Sequence, residues 1–370
     1  MVVAAAVIAA AWVTGAVACP FCNVITPTFA ERRESATVCA LAEALDQRGA
    51  NWRFRVHRIH QGESEIAADQ VVEFDPKLKF QSGDLALLLG TPEQSDGETH
   101  WRWEATPVSI VSYRYFAGAP SLRTPAAERL AYFAPFLESA ETDIAADAFA
   151  ELGRAPLDAV DVIADGDLLA RARTWVESDS LPNERRGGYA LLLGLAKQPE
   201  DRAANVHVLR AAIEKSREDF RAGFDGILAA YLLLEPHEAL QLVDERYLAN
   251  PDARPGDMRH ALNALRFCME YQRGPEREEL LTVMRHGLAR PAFTPEIITD
   301  LARWKDWTPR DEIAALYNPA SGKDGAPLRR AVIGYLKACP EGQAQLDRLR
   351  QLDPDGVATI EKRLNAPLDR

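Results

Sequence analysis

One pattern constrains this chain more than any other: a short helix built on small residues returns six times towards its C-terminus. The copies occupy residues 143–153, 185–195, 220–231, 258–268, 294–304 and 328–338. Their starts lie about 34–42 residues apart. Further helical spacing fills the gaps at 129–137, 168–176, 202–213, 238–248, 276–288 and 343–349. A helix pair every ~40 residues is the signature of an α-solenoid, in which each unit buries its apolar face by stacking on the next. Ala145, Ala148, Gly187, Gly188, Gly226, Ala229, Ala261 and Ala331 supply small side chains where paired helices approach closely. Pro182, Pro255, Pro295 and Pro327 stand near the starts of copies, where a missing N–H does least harm.

Upstream of residue 124 the apolar period falls to two. Residues 35–45 read as a strand of small and apolar residues. Trp52, Phe54 and Val56 alternate with Arg53, Arg55 and His57, which is the pattern of a half-buried strand. Residues 70–74 and 85–89 read as two more strands, separated by the turn signals Asp75-Pro76 and Ser82-Gly83-Asp84. Residues 91–99 read as a polar loop, and Trp101 and Trp103 alternate with Arg102 and Glu104 in a fifth strand. Five short strands in this space suit a small barrel.

The start of the chain is not read as fold. Residues 2–18 carry no charge and the first charged side chain is Glu31. An apolar run followed by Ala16-Val17-Ala18 has the form of a secretory signal with cleavage after Ala18, making Cys19 the mature N-terminus. A lipid anchor on Cys19 is the alternative use of a cysteine at that point. No transmembrane segment is expected in the mature chain. An oxidising compartment favours a disulfide between two of Cys19, Cys22 and Cys39, and the sequence does not choose the pairing. Cys19-Pro20-Phe21-Cys22 is also a C-x-x-C, open to redox or zinc readings; His57 and His60 are available as further ligands, but on a strand i and i+3 face opposite ways. Cys268 and Cys339 hold matching places in two non-adjacent copies of the recurrent helix, too far apart in a stack to pair, and are expected as free core thiols.

Three resemblances follow from these residues. Cys19 and Cys22, then Phe54 to Gly62 as an F-x-V-x-x-x-x-x-G strand, then Gly83 to Leu88, are similar to OB-like domains of the netrin/metalloproteinase-inhibitor type. That resemblance implies an OB-like barrel, and it implies inhibition through the free amine and carbonyl of Cys19. The recurrent helices resemble HEAT-like repeats. Residues 18–22, 136–156, 186–195 and 223–231 together resemble secreted planctomycete-type "CPFC" proteins, which join a signal peptide, Cys-Pro-Phe-Cys, a small β domain and a HEAT-like region. The implied fold is α+β and mostly α. It comprises a signal peptide (1–18), a small OB/netrin-like β-barrel (19–123) and a HEAT-like α-solenoid (124–370).

The chemistry on offer is sparse. The chain is 370 residues long, with 43 Lys+Arg against 55 Asp+Glu and a net charge of −12. That balance lacks the basic footprint of nucleic-acid binding. No P-loop, H-E-x-x-H, G-x-S-x-G or G-x-G-x-x-G occurs. Asp143, Asp147 and Glu151 fall at i, i+4 and i+8 and read as a solvated helix face, with acid–base work as the alternative. Arg185-Arg186 and Arg329-Arg330 open two copies of the recurrent helix. Cations there oppose the helix dipole and need a partner: Asp or Glu of a neighbouring repeat, or an anion or peptide on the inner surface. Trp101 and Trp103 read as core or domain-interface rings, with a binding platform as the alternative. The chain is therefore expected to be a secreted or periplasmic, non-enzymatic scaffold. It would need no cofactor and would bind another protein along its solenoid, with Arg185, Arg186, Arg329, Arg330, Trp101 and Trp103 as candidate contact residues.

Overall fold

The computed structural model describes residues 19–22, 26–95, 97–215 and 221–366. The signal sequence expected at 1–18 lies outside them. The arrangement is α+β and mostly helical, with one small antiparallel sheet near the N-terminus. Compactness divides the chain between Leu168 and Leu169, well past the change from strand to helix, so the first helices belong with the sheet.

In the first unit α1 (Phe29–Ser35) precedes β1 (Val38–Arg48), β2 (Asn51–Gln61), β3 (Val71–Phe74), β4 (Leu85–Ser95) and β5 (Glu98–Pro107). Then come α2 (Ile110–Gly118), α3 (Ala126–Phe133), α4 (Thr142–Arg154) and α5 (Leu157–Ile163). The strands are ordered β3-β2-β1-β4-β5. Period two sends Val38, Ala40, Ala42 and Ala44 of β1 to one face with Phe54, Val56, Ala86 and Leu88, all buried. The small β1 side chains leave room for the rings of Phe54, Phe74, Phe80 and Trp103. Burying a ring like that of Phe54 contributes about 1.5–3 kcal/mol. Phe74 and Trp103 come from opposite edges of the sheet, yet their rings stack with centroids 6.3 Å apart. The sheet is therefore strongly curled. No ladder joins β3 to β5 among the described residues.

Two local expectations change. The polar stretch 91–99 is not a free loop: β4 runs on to Ser95 and pairs with β5 from Glu98. Cross-strand polar pairs hold this extension, with Arg102 Nε 2.6 Å from Glu93 Oε1 and Gln94 Nε2 donating to Thr99 Oγ1 at 2.7 Å. The first strand begins at Val38 rather than residue 35, because α1 occupies the preceding turn. A capping box starts that helix: Glu31 N–H donates to Thr28 Oγ1 at 3.2 Å, and Thr28 N–H donates to Glu31 Oε2 at 2.8 Å.

The second unit takes most of α6 (Gly166–Glu177) and continues with α7 (Asn183–Gly194), α8 (Pro199–Glu214), α9 (Phe224–Leu234), α10 (Pro236–Val243) and α11 (Pro255–Tyr271). It closes with α12 (Arg277–His286), α13 (Thr294–Arg303), α14 (Arg310–Ala315), α15 (Ala326–Ala338), α16 (Gln343–Leu352) and α17 (Pro354–Asn365). The recurrent helices are α4, α7, α9, α11, α13 and α15. Within this unit they stack in succession: α7 on α9, α9 on α11 and α13 on α15. Arg266 ties α11 to α13, bonding Asp300 at 2.7 Å and Glu296 at 2.8 Å. Small residues set the spacing. A Cβ on Gly226 of α9 would collide with the backbone of Gly187 in α7, so nothing larger than glycine fits there. Pro255, Pro295 and Pro327 lie in the first turns of α11, α13 and α15, and Pro182 caps α7. Among the described residues no helix is long and apolar enough to cross a membrane.

Candidate functional site

In the second unit a groove of about 1290 Å³ runs across one face of α13, α15 and α17. Each helix turns its apolar stripe inward and its groove face outward. In α13, Ile297, Ile298 and Leu301 are buried, while Glu296, Thr299 and Ala302 line the groove. In α15, Val332, Ile333 and Leu336 are buried, and Pro327, Arg330, Ala331 and Gly334 form the floor. The capping carboxylate of Asp353 starts α17, accepting from Gly356 N–H at 3.0 Å, and Val357 anchors the helix. Gly356, Thr359, Ile360 and Arg363 then repeat at helical spacing along its groove face.

The electrostatics of this groove differ from those of the chain as a whole. Lys323, Arg330 and Arg363 line it, all exposed, and their side chains make no hydrogen bond or ion pair among the described residues. The groove carboxylates are largely engaged. Glu296 is held by Arg259 and Arg266, while Asp353 accepts from Tyr317 Oη at 2.8 Å; among the described residues Asp353 and Asp355 make no ion pair. Arg329 also borders the groove, but its guanidinium is spent on the turn before α15, bonding the carbonyls of Asn318 and Gly322 and the hydroxyl of Ser321.

The structure separates the other candidate residues. Arg186 is 6% exposed and donates to the carbonyls of Val176 and Ser178, so it braces the end of α6 rather than facing a partner. Arg185 is half-buried beside it in sequence. Trp101 and Trp103 turn toward the sheet core and stack on each other at 5.5 Å. Trp103 covers Gly90, where a Cβ would stand 2.6 Å from its ring.

Cys19 and Cys22 form a disulfide with a Cα separation of 5.4 Å, and Cys39, Cys268 and Cys339 are unbonded and buried. Burial pushes the Cys39 thiol up to about 11 and the Cys268 thiol to about 12. Cys19 N–H donates to Gly153 O at 2.9 Å, and Cys19 O accepts from Cys22 N–H at 3.2 Å. His57 pairs with Glu43 and His60 with Tyr113, so the two histidines serve different neighbours. Among the described residues no group of three His, Cys, Asp or Glu side chains is placed to hold a metal.

The acidic stripe of α4 is not the solvated face its spacing implies. Asp143 is exposed, but Asp147 accepts from the Phe29 N–H at 2.6 Å and from Tyr115 Oη at 2.7 Å. The Glu151 side chain is 2% exposed and pairs with Arg129. Burial raises both the Asp147 and the Glu151 carboxyl above the usual range. Arg154 Nε reaches Glu31 Oε1 at 3.0 Å. These groups fasten the segment around α1 onto α4. Residues more than a hundred positions upstream cover the stripe, and no local spacing reveals that. No family model matches the chain, and no curated protein matches it.

Proposed function

We propose that this is a secreted or periplasmic, non-enzymatic interaction protein whose helical array holds another protein. The observation that carries this reading is the groove across α13, α15 and α17, where Lys323, Arg330 and Arg363 are exposed and, among the described residues, unengaged beside the small residues Ala331 and Gly334. Stacked helix pairs offer long, pre-formed surfaces of this kind, so binding orders little of the scaffold. The backbone-close packing of α7 on α9 is what HEAT-like repeats require and supports reading the array as one. The strand order β3-β2-β1-β4-β5, curled until Phe74 meets Trp103, supports an OB-like barrel in the first unit. Kinship with the secreted "CPFC" proteins is part of the same proposal.

The engagement of Cys19 weighs among the alternatives. A thioether lipid and the Cys19–Cys22 disulfide compete for one sulfur. An inhibitor that chelates zinc needs a free amine and the carbonyl of Cys19, whose backbone N–H and carbonyl here bond Gly153 and Cys22. A redox role draws support from the pairing itself, which closes the C-x-x-C rather than linking it to Cys39. A reduction potential near those of thiol oxidoreductases would favour that second reading. The test of the first is capture from the native envelope fraction on the immobilised mature chain, read by mass spectrometry. A specific protein retained through moderate salt supports it, and retention of none defeats it.

A further inference from the structure

Resting on that reading, we infer that the partner presents an acidic polypeptide segment to the groove of α13, α15 and α17. Its carboxylates would meet Lys323, Arg330 and Arg363, and its backbone would pass close over Gly334.

Two independent observations carry this. The first is charge. The chain is acidic as a whole, with a net charge of −12, so unengaged cations lining one groove oppose the average surface. Among the described residues the four cations lining it, Lys323, Arg329, Arg330 and Arg363, make no ion pair, and they outnumber the two such carboxylates, Asp353 and Asp355. An acidic segment gains from them both in encounter rate and in charge-assisted hydrogen bonds.

The second is Gly334. An interior glycine weakens a helix, and elsewhere in the array the structure shows what offsets that cost. Gly194 admits the backbone of Ala230, and Gly226 admits that of Gly187. Gly334 sits mid-helix in α15, and a Cβ built on it meets nothing within 4 Å. No part of the described chain uses the bare backbone there, and the open space is the groove itself. A docked segment would fill it as α9 fills the space over Gly187.

The experiment uses the full chain and a fluorescent synthetic peptide of alternating Glu and Ala, followed by anisotropy at low salt. The expected result is saturable binding that Arg330→Glu with Arg363→Glu weakens by about tenfold or more. Gly334→Leu should weaken it comparably by filling the floor, while its denaturation midpoint stays level or rises. A Lys and Ala peptide should not bind. Equal binding to all variants overturns the inference, as does preference for the basic peptide. Binding of a sulfated polysaccharide with no binding of the acidic peptide overturns it too, and assigns the cations to another polyanion. An envelope protein captured equally by wild type and the Arg330→Glu, Arg363→Glu chain would leave the interaction reading standing and remove this inference alone.

Discussion

A Cβ added to Gly194 would stand 2.7 Å from the Cα of Ala230. Backbone, not a flexible side chain, occupies that space, so α7 and α9 must part to accept even a methyl group. Gly194→Ala is therefore expected to cost about 1–3 kcal/mol through overpacking. Gly334→Ala, with open space around its Cβ, should stabilise by about 0.5–1 kcal/mol through helix propensity and a less flexible unfolded chain. Urea midpoints of the two variants should move in opposite directions. Shifts of the same sign would contradict the packing assigned to these helices.

Two buried carboxyls should leave opposite marks on stability against pH. Burial raises Asp147 in the fold, so the native state holds its proton longer than the unfolded chain does. Its contribution is most favourable at low pH and declines as pH rises from the ordinary value of 3.8 through the raised one. Asp147→Asn removes that decline and keeps an acceptor for the Phe29 N–H, so its stability relative to wild type should improve with pH across that window. At Asp306, burial acts to raise the carboxyl, but Arg285 and Thr308 outweigh it and hold it low. That contribution is complete above 3.8 and is lost as pH falls through the lowered value. Asp306→Asn should therefore show a deficit above 3.8 that closes in acid. Denaturation of both variants and wild type over about pH 2–6 reads the two differences.

The thiols supply a count. Cys39, Cys268 and Cys339 are buried, and burial pushes Cys39 to about 11 and Cys268 to about 12, so those two hold almost no thiolate at neutral pH. Native protein should react negligibly with a thiol reagent within minutes. Denaturation without reductant should expose the three thiols named, and reductant should release two more from Cys19 and Cys22. Rapid labelling of Cys268 in the native protein would contradict its placement in α11.

Much of the architecture is legible in periodicity because local patterns determine it. The recurrent helices and the alternation in β2 both match the structure. The misreadings share one cause. Asp147 and Glu151 carry helical-surface spacing, and what covers them is α1 with Thr28 and Phe29, a tertiary contact that no window around residue 150 contains. Arg186 resembles Arg330 in sequence context, yet one guanidinium ends beneath the carbonyls closing α6 and the other faces open groove. The T-x-x-E spacing of Thr28 and Glu31 is the local signal of the α1 turn ahead of the first strand, and a strand reading of residues 35–45 does not use it. The groove itself arises from three helices whose spacing in sequence says nothing of the space between them.

The most direct test of the central claim is site-specific photo-crosslinking in the native envelope. A benzophenone side chain replacing Ala331, on the groove floor, is compared with one replacing Val162, which is 61% exposed on the first unit. The account predicts a discrete crosslinked protein from position 331 and none from position 162, with the adduct lost when Arg330→Glu and Arg363→Glu are added. No adduct at position 331, or the same adduct from both positions, would contradict a groove that holds a partner.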